Sequence, residues 1–144
     1  MTVAAIAEVL GGKKTLHHEV GTSSELVRLT REGLPADILI SLARELEIDR
    51  SVLARIIGIP QRTLSRRLSA RKRLLPHESD RMVRFARILA MATETLGSKA
   101  KMSHWLKSPN RALDGRAPFE LLDTDAGVQS VETILGRIAY GVYS

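Results

Sequence analysis

The sequence predicts an all-α fold: a helix-turn-helix bundle joined to a small C-terminal helical unit. Apolar residues recur at spacings of three and four wherever periodicity is strong, as in Val128, Val131, Leu135, Ile138 and Val142. No strand-like alternation competes with that pattern. Aromatic residues make up only 3% of a chain that is 44% hydrophobic, so Leu, Ile, Val and Ala must fill the core. A length of 144 residues suits one domain or two small units sharing a core.

Taken in order, the elements divide into an N-terminal arm (1–32), a helix-turn-helix domain (33–97) and a C-terminal domain (98–144). Val3 to Leu10 form a short helix that Gly11-Gly12 would stop. Lys13 to Ser24, with His17, His18, Gly21 and small polar residues, is expected to be loop or an adaptable arm. Pro35 stands where a first helical turn tolerates it, and Ile38, Leu39, Leu42, Ala43 and Leu46 make one apolar face. The next helix starts at Asp49, a good N-cap, and ends at Gly58. Another runs from Pro60 or Gln61 to about Ala70. After Arg71-Lys72-Arg73, a longer helix from Pro76 to Gly97 carries Phe85, Leu89, Ala92 and Leu96. The C-terminal unit holds a helix at Lys99 to Lys107, a loop through Pro109, Asn110, Asp114, Gly115 and Pro118, and a Phe119–Leu122 turn. A terminal helix capped by Asp123 or Thr124 closes it. Gly136 within that helix costs about 1 kcal/mol against alanine, so it is expected to admit a close backbone.

The formal charge of +6 favours an anionic partner. With no cysteine, disulfides and thiolate-ligated metals are excluded. The start of the chain lacks a signal-peptide pattern, and no apolar run approaches the roughly 20 residues that span a bilayer. A cytoplasmic protein with no membrane partner is expected.

Arg50 to Arg71 has the layout of a helix-turn-helix. Two helices that cross through a tight turn need a small residue at the contact, here Ala54, and a residue free to take positive φ four positions on, here Gly58. Leu53, Ile57, Ile59 and Leu64 fall at the shared inner positions, and Leu68 extends the second face. Gln61, Arg62, Thr63, Ser65, Arg66 and Ser69 then point outward on the second helix, with Arg67 on its flank. Such groups reach base edges from a helix lying in the major groove. From Arg50 to His77 there is no acidic residue, while eight are basic: Arg50, Arg55, Arg62, Arg66, Arg67, Arg71, Lys72 and Arg73. Arg71, Lys72 and Arg73 suit phosphate, which gives salt-sensitive affinity without sequence preference.

No other motif carries chemistry. Gly11-Gly12-Lys13-Lys14-Thr15 fails as a phosphate-binding loop, with Ala7 where a glycine is required and Lys14 where Ser or Thr is required. His17, His18, His77 and His104 lack partners at ligand spacing, so no metal site is expected. The acid pairs Glu45/Glu47 and Asp123/Asp125 suit capping and solvation, and no nucleophile motif or catalytic residue is found. Trp105 is expected to anchor the core of the C-terminal unit. The block from Arg116 onward is mildly acidic, with Glu120, Asp123, Asp125 and Glu132 against Arg116 and Arg137, so its partner should not be DNA.

This C-terminal block resembles the toxin-binding domain of the Xre/MbcA/ParS-type antitoxins of bacterial toxin–antitoxin pairs. The similarity runs through Trp105, Pro109-Asn110, Leu113, Gly115, Pro118, Leu121 to Thr124, Gly127, Gly136-Arg137-Ile138 and Tyr140-Gly141. Leu34-Pro35, the helix-turn-helix, Leu75-Pro76 and Glu78-Ser79-Asp80-Arg81 resemble the same family's Xre-like domain. The resemblance implies an antitoxin rather than an enzyme, with no cofactor. It further implies a RES-domain toxin partner that consumes NAD, and repression of the operon by the complex bound to operator DNA. A homodimer within the toxin–antitoxin complex would span two half-sites. Family antitoxins place their C-terminal end at or near the toxin's active-site cleft, which points here to Arg137, Tyr140, Gly141, Val142, Tyr143 and Ser144. Chemically, the Tyr140 and Tyr143 rings could take ring space, and the Ser144 carboxylate could meet a phosphate-binding cation. The alternative is a stand-alone repressor whose C-terminal unit dimerises it.

Overall fold

The computed structural model describes residues 2–141, among which there are nine α-helices and no strand. The chain divides into two compact units, Met1–Arg87 and Ile88–Ser144.

The first unit opens with α1 (Val3–Val9), α2 (Gly12–Leu16) and α3 (Ser23–Glu32). The loop expected over Lys13 to Ser24 is thus replaced in part by helix. Leu10, Leu16, Val20 and Leu29 are buried, so this segment contributes to the core. α3 begins with a reciprocal capping box: the Glu25 amide donates to Thr22 Oγ1 at 3.2 Å, and the Thr22 amide to Glu25 Oε1 at 3.1 Å. The Thr22 hydroxyl hydrogen bond, followed by the Gly21 amide, lowers the Glu25 pKa below the ordinary carboxylate value.

Helix α4 (Asp37–Leu46) buries Ile38, Leu39, Leu42, Ala43 and Leu46. Pro35 lies before the helix, not in its first turn: it forms an isolated bridge with Arg73, and the Leu74 amide donates to the Leu34 carbonyl at 2.8 Å. α5 (Arg50–Ile57) packs on α4, and α6 (Gln61–Ser69) packs on α5. α7 (Pro76–Leu96) runs through the boundary, burying Met82, Phe85 and Ala86 in the first unit.

In the second unit, α8 (Lys99–Lys107) starts at Ser98, whose hydroxyl accepts from the Lys101 amide at 3.1 Å. Two 3-10 turns, Arg111–Leu113 and Pro118–Leu121, lead to α9 (Asp125–Ala139). α8 and α9 both pack on the Pro118–Leu121 turn, around a core of Met102, Leu106, Leu113, Leu122, Val128, Val131 and Leu135. Trp105 is half-buried, so it is not the full core anchor expected of it, and Ile138 on the apolar stripe of α9 is half-buried as well.

Candidate functional site

The residues expected to carry chemistry fall into two groups, one in each unit. In the first, Asp49 caps α5, accepting from the Ser51 amide at 2.8 Å and the Ser51 hydroxyl at 2.7 Å. These two bonds, the hydroxyl first, lower its carboxyl pKa below the ordinary value. Gly58 then turns the chain with φ +83°, and the Ile59 amide donates back to the Ala54 carbonyl at 2.8 Å. A side chain at Gly58 would meet the Arg81 guanidinium, which crosses the turn to donate to the Ile57 carbonyl at 3.1 Å. Glycine is therefore needed for conformation, while a side chain there would also displace the end of Arg81 from that carbonyl. Leu53, Ala54, Ile57, Ile59 and Leu64 are all buried, as the helix-turn-helix layout requires.

On α6, Gln61, Arg62, Ser65, Arg66 and Ser69 are exposed, and Thr63 is half-buried. Arg67 is not with them. Its guanidinium pairs with Glu78, whose side chain is only 4% exposed, and that carboxylate also accepts from the Leu75 amide at 2.8 Å. Arg71 and Lys72 are exposed on the link that follows α6, while Arg73 donates to the Gly33 carbonyl at 2.8 Å. So Arg67 and Arg73 have structural partners, whereas Arg62, Arg66, Arg71 and Lys72 stand open to solvent.

Sequence reasoning assigned no task to Glu78, Ser79 or Arg81, and the structure gives each one. Glu78 holds α6 through Arg67. The Ser79 hydroxyl accepts from the Leu34 amide at 2.9 Å, and Arg81 satisfies the end of α5. The first turns of α7 thus fix the lead-in to α4, the end of α5 and the flank of α6. That orients the outward face of α6, because a buried polar group must find its partner or lose its desolvation energy.

In the second unit, Thr124 caps α9 by accepting from the Gly127 amide at 3.0 Å. Gly127 lies directly against the Leu121 carbonyl, where any Cβ would collide with backbone. The loop before it is closed by Asn110: its amide donates to the Arg116 carbonyl at 2.9 Å, and its side chain accepts from the Ala112 amide at 2.9 Å. Val128, Val131 and Leu135 face inward. Arg137, Tyr140 and Gly141 remain outside, Tyr140 being 87% exposed. Gly136 does not admit a close backbone as expected, since no described atom would lie within 4 Å of a Cβ there. Val142, Tyr143 and Ser144 lie outside the described residues.

Among the described residues no cluster of His, Asp or Glu could hold a metal ion, and no helix is long and apolar enough to cross a membrane.

Two family models match the chain. The antitoxin Xre-like helix-turn-helix domain covers residues 25–87, and the antitoxin Xre/MbcA/ParS C-terminal toxin-binding domain covers residues 91–141. A protein named Antitoxin Xre from Yersinia enterocolitica is 32% identical over 136 residues, spanning 91% of this chain and 92% of its own length. A Photorhabdus laumondii protein of the same name is 32% identical over 132 residues, spanning 91% of this chain and 89% of its own. A Sphingobium protein named Prs ADP-ribosylating antitoxin is 25% identical over 127 residues, spanning 82% and 80%. In the crystal structure of the M. tuberculosis MbcT–MbcA toxin–antitoxin complex, one chain shares the fold with a TM-score of 0.52 at 22% identity; the match covers 76% of this chain and 96% of that one. With two antitoxin domains in sequence and relatives named Antitoxin Xre matched over about nine-tenths of their own length, the chain belongs to the Xre family of antitoxins.

Proposed function

We propose that the protein is a cytoplasmic antitoxin that binds and neutralises a RES-domain, NAD-consuming toxin. As a homodimer within that complex, it represses its own operon by placing α6 in the major groove of operator DNA. It acts by binding and not by catalysis, and needs no cofactor. The observation that carries this reading is the division of surface chemistry between the two units. α6 and the link after it offer Arg62, Arg66, Arg71 and Lys72 in a stretch free of acids, which suits DNA. The end of α9 offers an exposed aromatic, Tyr140, beside Arg137, which suits a protein partner.

On this reading Gln61, Arg62, Thr63, Ser65, Arg66 and Ser69 face the bases, and Arg71 and Lys72 grip phosphate. Arg73 adds positive potential while serving the fold, and Arg67, neutralised by Glu78, supports α6 from its flank. Arg137, Tyr140 and Gly141, continued by Val142, Tyr143 and Ser144, meet the toxin cleft. Arg66 or Arg62 on a guanine edge would contribute roughly 1–3 kcal/mol of discrimination. The double substitution Arg62→Ala/Arg66→Ala should abolish a specific gel shift on the protein's upstream DNA while leaving toxin protection intact. Sequence-selective binding by the double variant would overturn the DNA assignment. Growth that the antitoxin fails to restore, when co-expressed with the neighbouring toxin gene, would favour a stand-alone repressor instead.

A further inference from the structure

A cleft of about 480 Å³ opens in the first unit beside the C-terminal end of α6. His17, Asp37, Arg67, Arg71, Lys72 and Arg73 are among its walls. Arg67 is neutralised by Glu78 and Arg73 is tied to the Gly33 carbonyl without losing its charge. Arg71, Lys72 and the His17 ring are exposed, and no described residue makes a hydrogen bond or ion pair with their side chains. Against Asp37, the cleft keeps an excess of cations and N–H donors.

Two of these three also share a backbone conformation. His17 and Arg71 have φ of +63° and +53°, in the left-handed region that glycine enters without penalty. Among the described residues only two other non-glycine residues do this, Glu47 and Asp114. Both values belong to helix ends, His17 capping α2 with its amide on the Lys13 carbonyl and Arg71 closing α6 with its amide on the Leu68 carbonyl; the two helix ends thus bring both donors to one cleft, where they can share a ligand. That ligand must be anionic and small enough to be gripped from several sides. The cleft lies at the C-terminal end of α6, with Arg67 and Leu68 of that helix in its walls, and a DNA backbone held by Arg71 and Lys72 would pass beside it.

We propose that His17 joins Arg71 and Lys72 in gripping a backbone phosphate of the operator, beside the groove that α6 enters. A residue upstream of the matched helix-turn-helix region, 25–87, thereby takes part in DNA binding. The proposal rests on the DNA-binding reading above and adds to it a clamp built by the N-terminal helices.

Fluorescence anisotropy of the full chain on its operator duplex, across a salt series, tests it. His17→Gly keeps the backbone conformation while removing the ring, so affinity should fall about ten- to a hundredfold, the loss of one hydrogen bond to a charged group. Its melting temperature should be unchanged or higher. Lys72→Ala should flatten the slope of log affinity against log salt by about 0.9, one phosphate contact. Lys101→Ala, in the second unit, should alter neither. Wild-type binding matched by His17→Gly would overturn the clamp and leave the DNA reading standing. No binding by the wild type would overturn both. Inorganic phosphate that saturates the His17 ring signals in NMR, while His17→Gly leaves DNA affinity intact, would mark a free-anion site and overturn the DNA assignment of the cleft.

Discussion

Glu78→Ala should weaken the first unit more than any single change on its surface. The carboxylate is almost fully buried, its residue only 3% exposed, and it serves two donors, the Arg67 guanidinium and the Leu75 amide. Removing one partner of a buried pair costs about 3–5 kcal/mol, because the other charge is left uncompensated. The Arg67 side chain retains 14% exposure, so water can reach one edge and the lower end applies, about 3 kcal/mol. For a unit of this size that corresponds to a fall of roughly 12 °C or more in melting temperature. Glu78→Gln keeps an acceptor for the Leu75 amide and should fall between the two. Calorimetry of the wild type, Glu78→Ala, Arg67→Ala and the double variant measures the pair directly. The double variant should lose less than the sum of the singles, since it leaves no orphaned charge. A Glu78→Ala protein that melts within a degree of the wild type would refute the reasoning.

Three further outcomes follow from the geometry. Gly136→Ala should raise the stability of the second unit by up to about 1 kcal/mol, because a helical position with open space around its Cβ gains propensity; calorimetric melting checks it, and an unraised melting temperature would contradict it. Gly127→Ala should unfold the contact between α9 and the Pro118–Leu121 turn, since the new Cβ meets the Leu121 carbonyl; limited proteolysis of the second unit reads the loss, and wild-type resistance would contradict it. The caps at Asp49 and Glu25 have folded pKa values below their unfolded ones, so their stabilisation is complete above the ordinary carboxylate range and is lost as pH falls through the lowered values. Ser51→Ala should raise the Asp49 titration midpoint seen by NMR, and an unmoved midpoint would deny the hydroxyl its role.

Much of the fold was legible because punctuation and periodicity agreed. Asp49, Gly58 and Gly97 bracket helices at their expected ends, and α8 has the bounds its sequence suggests. α3 was obscured by the small polar run before it, although Thr22 and Glu25 already spell a capping box and Leu26 and Leu29 follow at helical spacing. α2 has no such signal. It is five residues long, and Leu16 is held by burial and not by local propensity.

At the candidate site, the outward residues of α6 were readable from the helix-turn-helix offsets alone. The diversion of Arg67 and Arg73 was not, because their partners, Glu78 and the Gly33 carbonyl, lie 11 and 40 residues away in sequence. A Glu in the first turn of a helix ordinarily serves the dipole at the surface; here the Arg67 guanidinium and the Leu75 amide make Glu78 a buried anchor instead. Gly136 misled in the other direction, because helix propensity registers the cost of a glycine and does not show whether a neighbouring backbone lies against it.

Toxin neutralisation through the end of α9 is the central claim, and NAD consumption by the purified toxin is its most direct measure. Titrating in the full chain should stop the reaction at a fixed stoichiometry, while a chain lacking Tyr140 to Ser144 should still shift operator DNA but leave NAD turnover running. Complete inhibition by that truncated chain, or undiminished turnover with the full chain in excess, would contradict the account.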